Sequence, residues 1–191
     1  MIVLLDLCYR PGSLGEDEFV RPIADIVKNC GYQYTICHYT EWDSLDMSQV
    51  RAVILCGTPL KDNLFAEKPD FFTWIPEHSV PVLGICAGMQ ALVLAYGGRI
   101  IENPEIGMTV VRALVPGDPI FCENEWTAYE LHRFCGVFGS DFVVLAQSDA
   151  CVQAVRHQTD PVYAVMFHPE VRNTWVVERF LNTFVRDGKE Q

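Results

Sequence analysis

The sequence predicts an α/β protein with an open, mostly parallel central sheet and helices on both faces of that sheet. Three observations support this prediction. In the first half, short apolar runs typical of buried strands alternate with segments that carry helical hydrophobic spacing. One of these runs ends at a cysteine between two glycines, where a further helical pattern begins. In the C-terminal half, short β-prone segments follow one another, which predicts extra antiparallel strands.

The elements of the first half are predicted from apolar runs and from the turn residues that separate them. A helix is expected to begin at the acidic residues 16–18 and to end at Gly31. Another helix is expected near residues 70–78, and the helix behind Cys86 is expected to run to about Tyr96. Strands are expected over residues 2–7, 32–39, 50–56 and 82–85.

The second half is predicted to consist of short strands followed by one helix. Residues 158–161, Gln-Thr-Asp-Pro, are typical of a hairpin turn between two of these strands. Asn173 is expected to cap the final helix with its side chain. Glu102 and Glu105 are expected to lie in a solvated loop. The strands are expected over residues 108–115, 126–132, 142–147, 151–157 and 162–167.

Length and charge restrict the class of protein. The 191 residues, half of them hydrophobic, predict a single domain over residues 1–191. The 14 basic residues stand against 25 acidic ones, and this balance argues against binding to nucleic acid or to an anionic membrane. The longest apolar stretch, residues 80–96, is interrupted by proline, glycine and glutamine and is not predicted to span a membrane.

The eight cysteines show no Cys-x-x-Cys spacing of the kind used by metal or redox motifs. Most of them are therefore expected to be core thiols. Residues 1–6 are interpreted as a first strand, because they lack the basic leader and small-residue cleavage site of a signal peptide. These features together predict a reducing, cytoplasmic location in which a free thiol persists.

The segment Gly84-Ile85-Cys86-Ala87-Gly88 predicts a nucleophile elbow with sulfur in place of oxygen. Glycines on both sides let the backbone turn sharply at the end of a buried strand. The thiol would then stand at the N-terminus of the next helix, where the helix dipole favours the thiolate. Cys86 is therefore a candidate nucleophile, and a buried structural cysteine is the alternative.

His168 is the histidine whose surroundings suit a catalytic base. It follows the predicted strand over residues 162–167 and precedes Pro169, which biases it towards an extended conformation. Glu170 lies two residues further on, near enough to accept a hydrogen bond from the imidazole. Nucleophile, base and orienting carboxylate are the three parts of a catalytic triad.

Taken together, the segments 84–90 and 167–170 resemble those of the class I, triad-type glutamine amidotransferase family. The resemblance extends over nearly the whole chain and implies that family's three-layer, flavodoxin-like fold. Within the family, Met89 and the segment 105–107 are most similar to stand-alone glutaminase subunits. The resemblance implies the following roles: Cys86 as nucleophile, His168 as base and acid, Glu170 as orienting carboxylate, the backbone amides of Gly57 and Ala87 as oxyanion hole, and Gln90 as a substrate contact.

The implied reaction is the release of ammonia from L-glutamine through a γ-glutamyl thioester on Cys86. It requires no metal and no organic cofactor. Because 191 residues leave no room for an ATP-dependent acceptor domain, a separate ATP-dependent synthetase is the expected partner.

Two departures from the family keep other functions open. Thr58 replaces a second glycine in the turn after the third strand, and Leu131-His132 stands where a Ser-His pair is common. His132 is expected to have a structural role. A γ-glutamyl peptidase or hydrolase of the same fold is one alternative, and a non-catalytic regulatory or binding homologue is another. An esterase of the dienelactone-hydrolase type is disfavoured, because its acid normally precedes the histidine in the chain.

Overall fold

The computed structural model describes residues 1–185, and residues 186–191 of the predicted domain lie outside the described residues. Its centre is one sheet of nine strands. In chain order these are β1 (Ile2–Asp6), β2 (Tyr34–His38), β3 (Ala52–Leu55), β4 (Val82–Ile85), β5 (Arg99–Ala113), β6 (Glu125–Val137), β7 (Phe142–Gln147), β8 (Val152–His157) and β9 (Val162–Val165).

Three α-helices accompany the sheet: α1 (Arg21–Asn29), α2 (Ala87–Ala95) and α3 (Trp175–Phe184). A π-helical segment, Glu16–Val20, leads directly into α1. Gly31, with φ of 86°, follows the end of α1 as expected. None of the helices in residues 1–185 combines the length and the apolarity needed to cross a membrane.

The sheet has a parallel half and an antiparallel half. Its strand order is β2-β1-β3-β4-β9-β8-β7-β5-β6. Each neighbouring pair from β2 to β9 is parallel, and each pair from β9 to β6 is antiparallel. The four strands β1, β3, β4 and β9 are buried at every residue, which explains why their sequences are apolar except for Asp6 at the end of β1.

Helices cover both faces of the parallel half, as the sequence predicts. Along β1, Ile2 and Leu4 face a core shared with α1 and α3. Val3 and Leu5 alternate with them and face a second core, which includes α2 and the aromatic residues of the segment before β4. The result is a three-layer arrangement in which the carboxyl ends of the parallel strands lie at one edge.

The hairpin of β5 and β6 curls back across that edge. Its strands have 15 and 13 residues, and their register shifts between Glu102 and Glu105. The backbone carbonyl of Tyr129 on β6 accepts a 2.9 Å hydrogen bond from the amide of His168. A sheet strand that is distant in strand order thus lies directly against the predicted site.

Three details of the predicted elements are wrong. Residues 70–78 form short 3₁₀ turns, Pro69–Phe72 and Ile75–Glu77, because prolines interrupt the helical pattern. Glu102 and Glu105 lie on β5, which begins earlier than predicted, and the Glu105 side chain is only 10% exposed. Asn173 is buried and does not cap α3 with its side chain.

Candidate active site

Cys86 occupies a strained elbow between β4 and α2. Its φ of 50° is the only positive value for a non-glycine residue in the described part of the chain, and its ψ is −101°. The Cys86 amide donates a 2.8 Å hydrogen bond to the Val165 carbonyl of β9, and its carbonyl accepts one from Gln90. Strain of this kind persists only where the surroundings hold it, and it is common at catalytic residues.

The two glycines of the elbow permit close packing behind the nucleophile. A Cβ atom at Gly88 would overlap the backbone carbonyl of Leu55 on β3. At Gly84 it would lie 2.6 Å from Cδ1 of Leu92 on α2. Glycine is therefore required for α2 to approach β3 and β4 closely enough to set the position of Cys86.

His168 is held from several sides. Its Nδ1 lies 2.7 Å from Oε1 of Glu170, and both side chains are almost completely buried. The ring of Phe19 lies 5.3 Å from the imidazole, centroid to centroid. Within the described residues, Nε2 makes no hydrogen bond of good geometry, so it remains available on the side opposite Glu170.

The electrostatic environment favours the charged form of His168. Burial disfavours the imidazolium, but the negative charges of Cys86 and Glu170 outweigh burial and raise the pKa of His168 well above its usual value. The imidazole therefore interacts with Cys86 on one side and with Glu170 on the other. This is the arrangement required of a base shared between a nucleophile and an orienting carboxylate.

The predicted oxyanion residues lie beside this pair. A Cβ atom on Gly57 would be only 2.7 Å from Cε1 of His168, so this turn approaches the imidazole closely. Ala87 is the first residue of α2, and its N–H therefore has no acceptor within that helix. Ala87 and Thr58 line a narrow cavity together with Cys86.

Gln90 and the strand β6 complete the cavity. The Gln90 side chain donates a 3.1 Å hydrogen bond from Nε2 to the Phe134 carbonyl of β6. Its Oε1 atom is buried and makes no hydrogen bond with the described residues. The Cys86 thiol donates a 3.8 Å sulfur hydrogen bond to the Leu131 carbonyl, and His132 lines the same cavity.

Sequence reasoning missed the contribution of the β6 backbone. The carbonyls of Leu131 and Phe134 contact Cys86 and Gln90, but a carbonyl is common to all residues and leaves no trace in the sequence. The position of His132 carried a weak signal, since it lies where the family commonly has a Ser-His pair. The curl of the hairpin brings these groups to Cys86.

The family model for glutamine amidotransferase class-I matches residues 16–187 of the chain. The chain belongs to the class I glutamine amidotransferase family. A subunit of glutamine-hydrolyzing GMP synthase from Methanosarcina barkeri is 31% identical over 180 residues, covering 84% of this chain and 93% of that protein. The corresponding protein from Thermoplasma volcanium is 34% identical over 138 residues, covering 70% of this chain and 68% of that protein.

Solved structures of other glutamine amidotransferases show the same fold. A putative GMP synthase subunit from Thermoplasma acidophilum superposes with a TM-score of 0.79 at 26% identity, covering 96% of this chain and 91% of that chain. A glutamine amidotransferase from Thermotoga maritima superposes with a TM-score of 0.70 at 18% identity, covering 97% of this chain and 82% of that chain. The predicted family and fold class are confirmed, as is the predicted likeness to a separate glutaminase subunit.

Proposed function

We propose that this glutamine amidotransferase hydrolyses L-glutamine at Cys86 and supplies the ammonia to a separate ATP-dependent synthetase. The observation that carries the proposal is the line of interacting groups from Glu170 through His168 to the elbow thiol. The 2.7 Å contact between Glu170 and Nδ1 directs the opposite ring nitrogen, Nε2, away from the carboxylate. The Cys86 and Glu170 side chains both act to raise the pKa of His168, so all three groups belong to one site.

In the first half-reaction, the Cys86 thiolate attacks the side-chain amide carbon of glutamine and forms a tetrahedral oxyanion. The backbone N–H groups of Gly57 and Ala87 stabilise that oxyanion. His168 gives its proton to the amide nitrogen, the carbon–nitrogen bond breaks, and ammonia leaves. A γ-glutamyl thioester remains on Cys86.

In the second half-reaction, His168 acts as a base and removes a proton from water as the water attacks the thioester carbon. The carbon–sulfur bond breaks, glutamate leaves, and the thiolate–imidazolium pair is restored. Glu170 orients the imidazole and stabilises its cationic form in both steps. Gln90 contacts the substrate through its unpaired Oε1, while its Nε2 remains bound to β6.

The proposed partner follows from the relatives. The two Methanosarcina proteins from the species barkeri and mazei are each named as one subunit of GMP synthase, and the alignment covers 93% of each. A relative of this extent implies a synthetase on another chain. We therefore propose the synthetase subunit of GMP synthase as the first acceptor of ammonia to test.

The deciding experiment is labelling with a glutamine-analogue electrophile, followed by peptide mass spectrometry, with and without the synthetase partner. We expect one label per chain on Cys86 and none on a Cys86→Ala variant. Cys122→Ser is the matched control, because Cys122 is an exposed cysteine outside the cavity. Labelling at another cysteine, or no labelling with the partner present, would contradict the mechanism and favour a non-catalytic homologue.

The same fold could act alone on a γ-glutamyl peptide, so substrate choice needs its own assay. We expect glutamate release from glutamine to increase when the synthetase and its substrates are added. Strong turnover of γ-glutamyl peptides without any partner, and weak turnover of glutamine, would instead assign the chain as a peptidase.

A further inference from the structure

A second group of reactive side chains lies behind the catalytic cavity. We call it the inner cluster, and it consists of Glu105 on β5, Glu130, His132 and Cys135 on β6, and Cys151 immediately before β8. One potential ligand atom from each of His132, Cys135 and Cys151 lies within 4.8 Å of the others, and the same holds for Glu105, Glu130 and His132. The proposed glutaminase reaction uses none of these side chains.

The polar atoms at the centre of the inner cluster make only long contacts with one another. Within residues 1–185, neither ring nitrogen of His132 and neither carboxyl oxygen of Glu130 makes a hydrogen bond of good geometry. His132 is only 2% exposed and Glu130 is fully buried. Burying such groups without partners is costly, and native proteins rarely do so without a ligand.

The charges of the inner cluster also call for a cation. Two carboxyl groups and two thiols surround a single imidazole. In the described part of the chain, His132 is the only basic side chain that pairs with Glu105 or Glu130, at 3.5 and 3.4 Å from Nε2. Buried charges in proteins are usually paired with one another or coordinate a metal ion.

We propose that His132, Cys135 and Cys151 bind a divalent transition metal, best satisfied by Zn²⁺. Thiolate and imidazole are preferred zinc ligands, and bond lengths of about 2.0–2.3 Å in a tetrahedron place ligand atoms roughly 3.3–3.8 Å apart. Glu105 stands outside this set, and its Oε2 accepts a 3.2 Å hydrogen bond from the Cys151 sulfur.

Glu105 is placed to orient the Cys151 ligand from outside the proposed metal site. Its Oε2 accepts a 2.8 Å hydrogen bond from Gln153 Nε2 and a 3.0 Å hydrogen bond from Ser148 Oγ. A carboxylate held in this way would fix the direction of the Cys151 side chain. Three protein ligands leave the fourth position to water, and the proposed steps at Cys86 do not use the ion.

A metal at this place would brace the wall of the active site. It would tie β6 to the start of β8 at the residues next to Leu131 and Phe134. The carbonyls of these two residues contact the Cys86 thiol and the Gln90 side chain. The ion would thus hold β6 at the distance from α2 that the cavity requires.

The test is metal content, measured by plasma mass spectrometry on protein reconstituted with ZnCl₂ under reducing conditions and then desalted. We expect one zinc per chain in the parent protein and in Cys122→Ser, and a loss of at least tenfold in Cys135→Ser and Cys151→Ser. Cys86→Ala should retain one zinc, which separates this site from the proposed catalytic thiol and from the outcome of the labelling experiment.

Cobalt substitution guards against variants that simply fail to fold. Co²⁺ in the parent protein should give sulfur-to-cobalt charge-transfer bands and the intense visible bands of a tetrahedral site. Folded Cys151→Asp, which keeps an anionic ligand, should retain cobalt with weaker charge-transfer absorption. Less than one-tenth of an equivalent of zinc or cobalt in the reduced, folded parent protein would overturn the proposal. Charge-transfer bands that stay unchanged in Cys135→Ser and Cys151→Ser would also overturn it.

Discussion

At the scale of single residues, the proposed mechanism depends on a proton shared between Cys86 and His168. The imidazole is almost fully buried, and burial alone would keep it neutral. Cys86 and Glu170 reverse that preference and raise the pKa of His168. Because the pKa of His168 is higher in the folded than in the unfolded state, its interaction with Cys86 and Glu170 stabilises the protein fully at pH values below the unfolded pKa, near 6.5. The stabilisation is lost as pH rises through the higher folded value.

The first prediction concerns this coupling. Removing the thiolate in Cys86→Ala should lower the pKa of His168, because the charge of Cys86 is the largest influence that raises it. The measurement is an NMR titration of the ring proton of His168, assigned by comparison with His168→Gln. An unchanged His168 pKa in the Cys86→Ala variant would show that the thiol does not act on the imidazole.

The second prediction concerns Glu170. In Glu170→Gln the imidazole loses the carboxylate that orients it and stabilises its charge. Removal of that carboxylate from a triad lowers kcat by about 10⁴, so a fall of roughly 10²–10⁴ is expected in steady-state glutaminase kinetics. Glu102→Gln is the matched control because its side chain is 58% exposed on β5. A Glu170→Gln enzyme with more than half the parent kcat would exclude the proposed role.

At the scale of elements, the elbow depends on how closely α2 packs against β3. Helix and strand meet at Gly88, where any side chain would overlap the backbone carbonyl of Leu55. Backbone atoms of a central strand cannot move aside as a flexible side chain would. The position of Cys86 therefore depends directly on the packing of the core.

The third prediction is that Gly88→Ala destabilises the protein by about 1–3 kcal/mol, as overpacking of a core does. Urea unfolding followed by circular dichroism measures the change. Gly139→Ala should change stability by less than about 1 kcal/mol, because a Cβ atom there meets nothing within 4 Å and its φ is ordinary. Equal stabilities for the two variants would refute the packing argument.

At the scale of the whole molecule, the parallel and antiparallel halves share one sheet and one core. Strands β9 and β8 join them through the pairs Ala154↔Val165 and Val155↔Ala164. The core on the α1 and α3 face contains residues from both halves, including Ile2 from β1 and Val111 from β5. Sharing of this kind favours unfolding as one unit.

The fourth prediction is a single unfolding transition for the single domain proposed over residues 1–191. Trp42 and Trp74 stack in the first half, and Trp126 and Trp175 meet in the second. Variants with phenylalanine at one tryptophan pair let fluorescence follow the other half alone. For each variant, the unfolding midpoint measured by tryptophan fluorescence should coincide with the midpoint measured by circular dichroism on the same variant. Separate midpoints for the two probes within one variant would show two independently unfolding units.

The sequence was sufficient for features set by short-range chemistry. The glycines around Cys86 predict the elbow, the two-residue spacing predicts the contact between His168 and Glu170, and the apolar runs predict the buried strands. It misplaced Glu105 in a loop, because alternating half-exposed residues of a long curled strand do not show the burial pattern of a flat one.

Only the tertiary structure determined which residues contact each of these positions. Cys86 and His168 are brought together by parallel pairing of β4 with β9, and Leu131 reaches Cys86 from 45 residues away. The inner cluster likewise unites β5, β6 and the start of β8. Contacts between such distant positions depend on strand order and sheet curl, which arise from packing across the whole molecule and are not encoded in any local pattern.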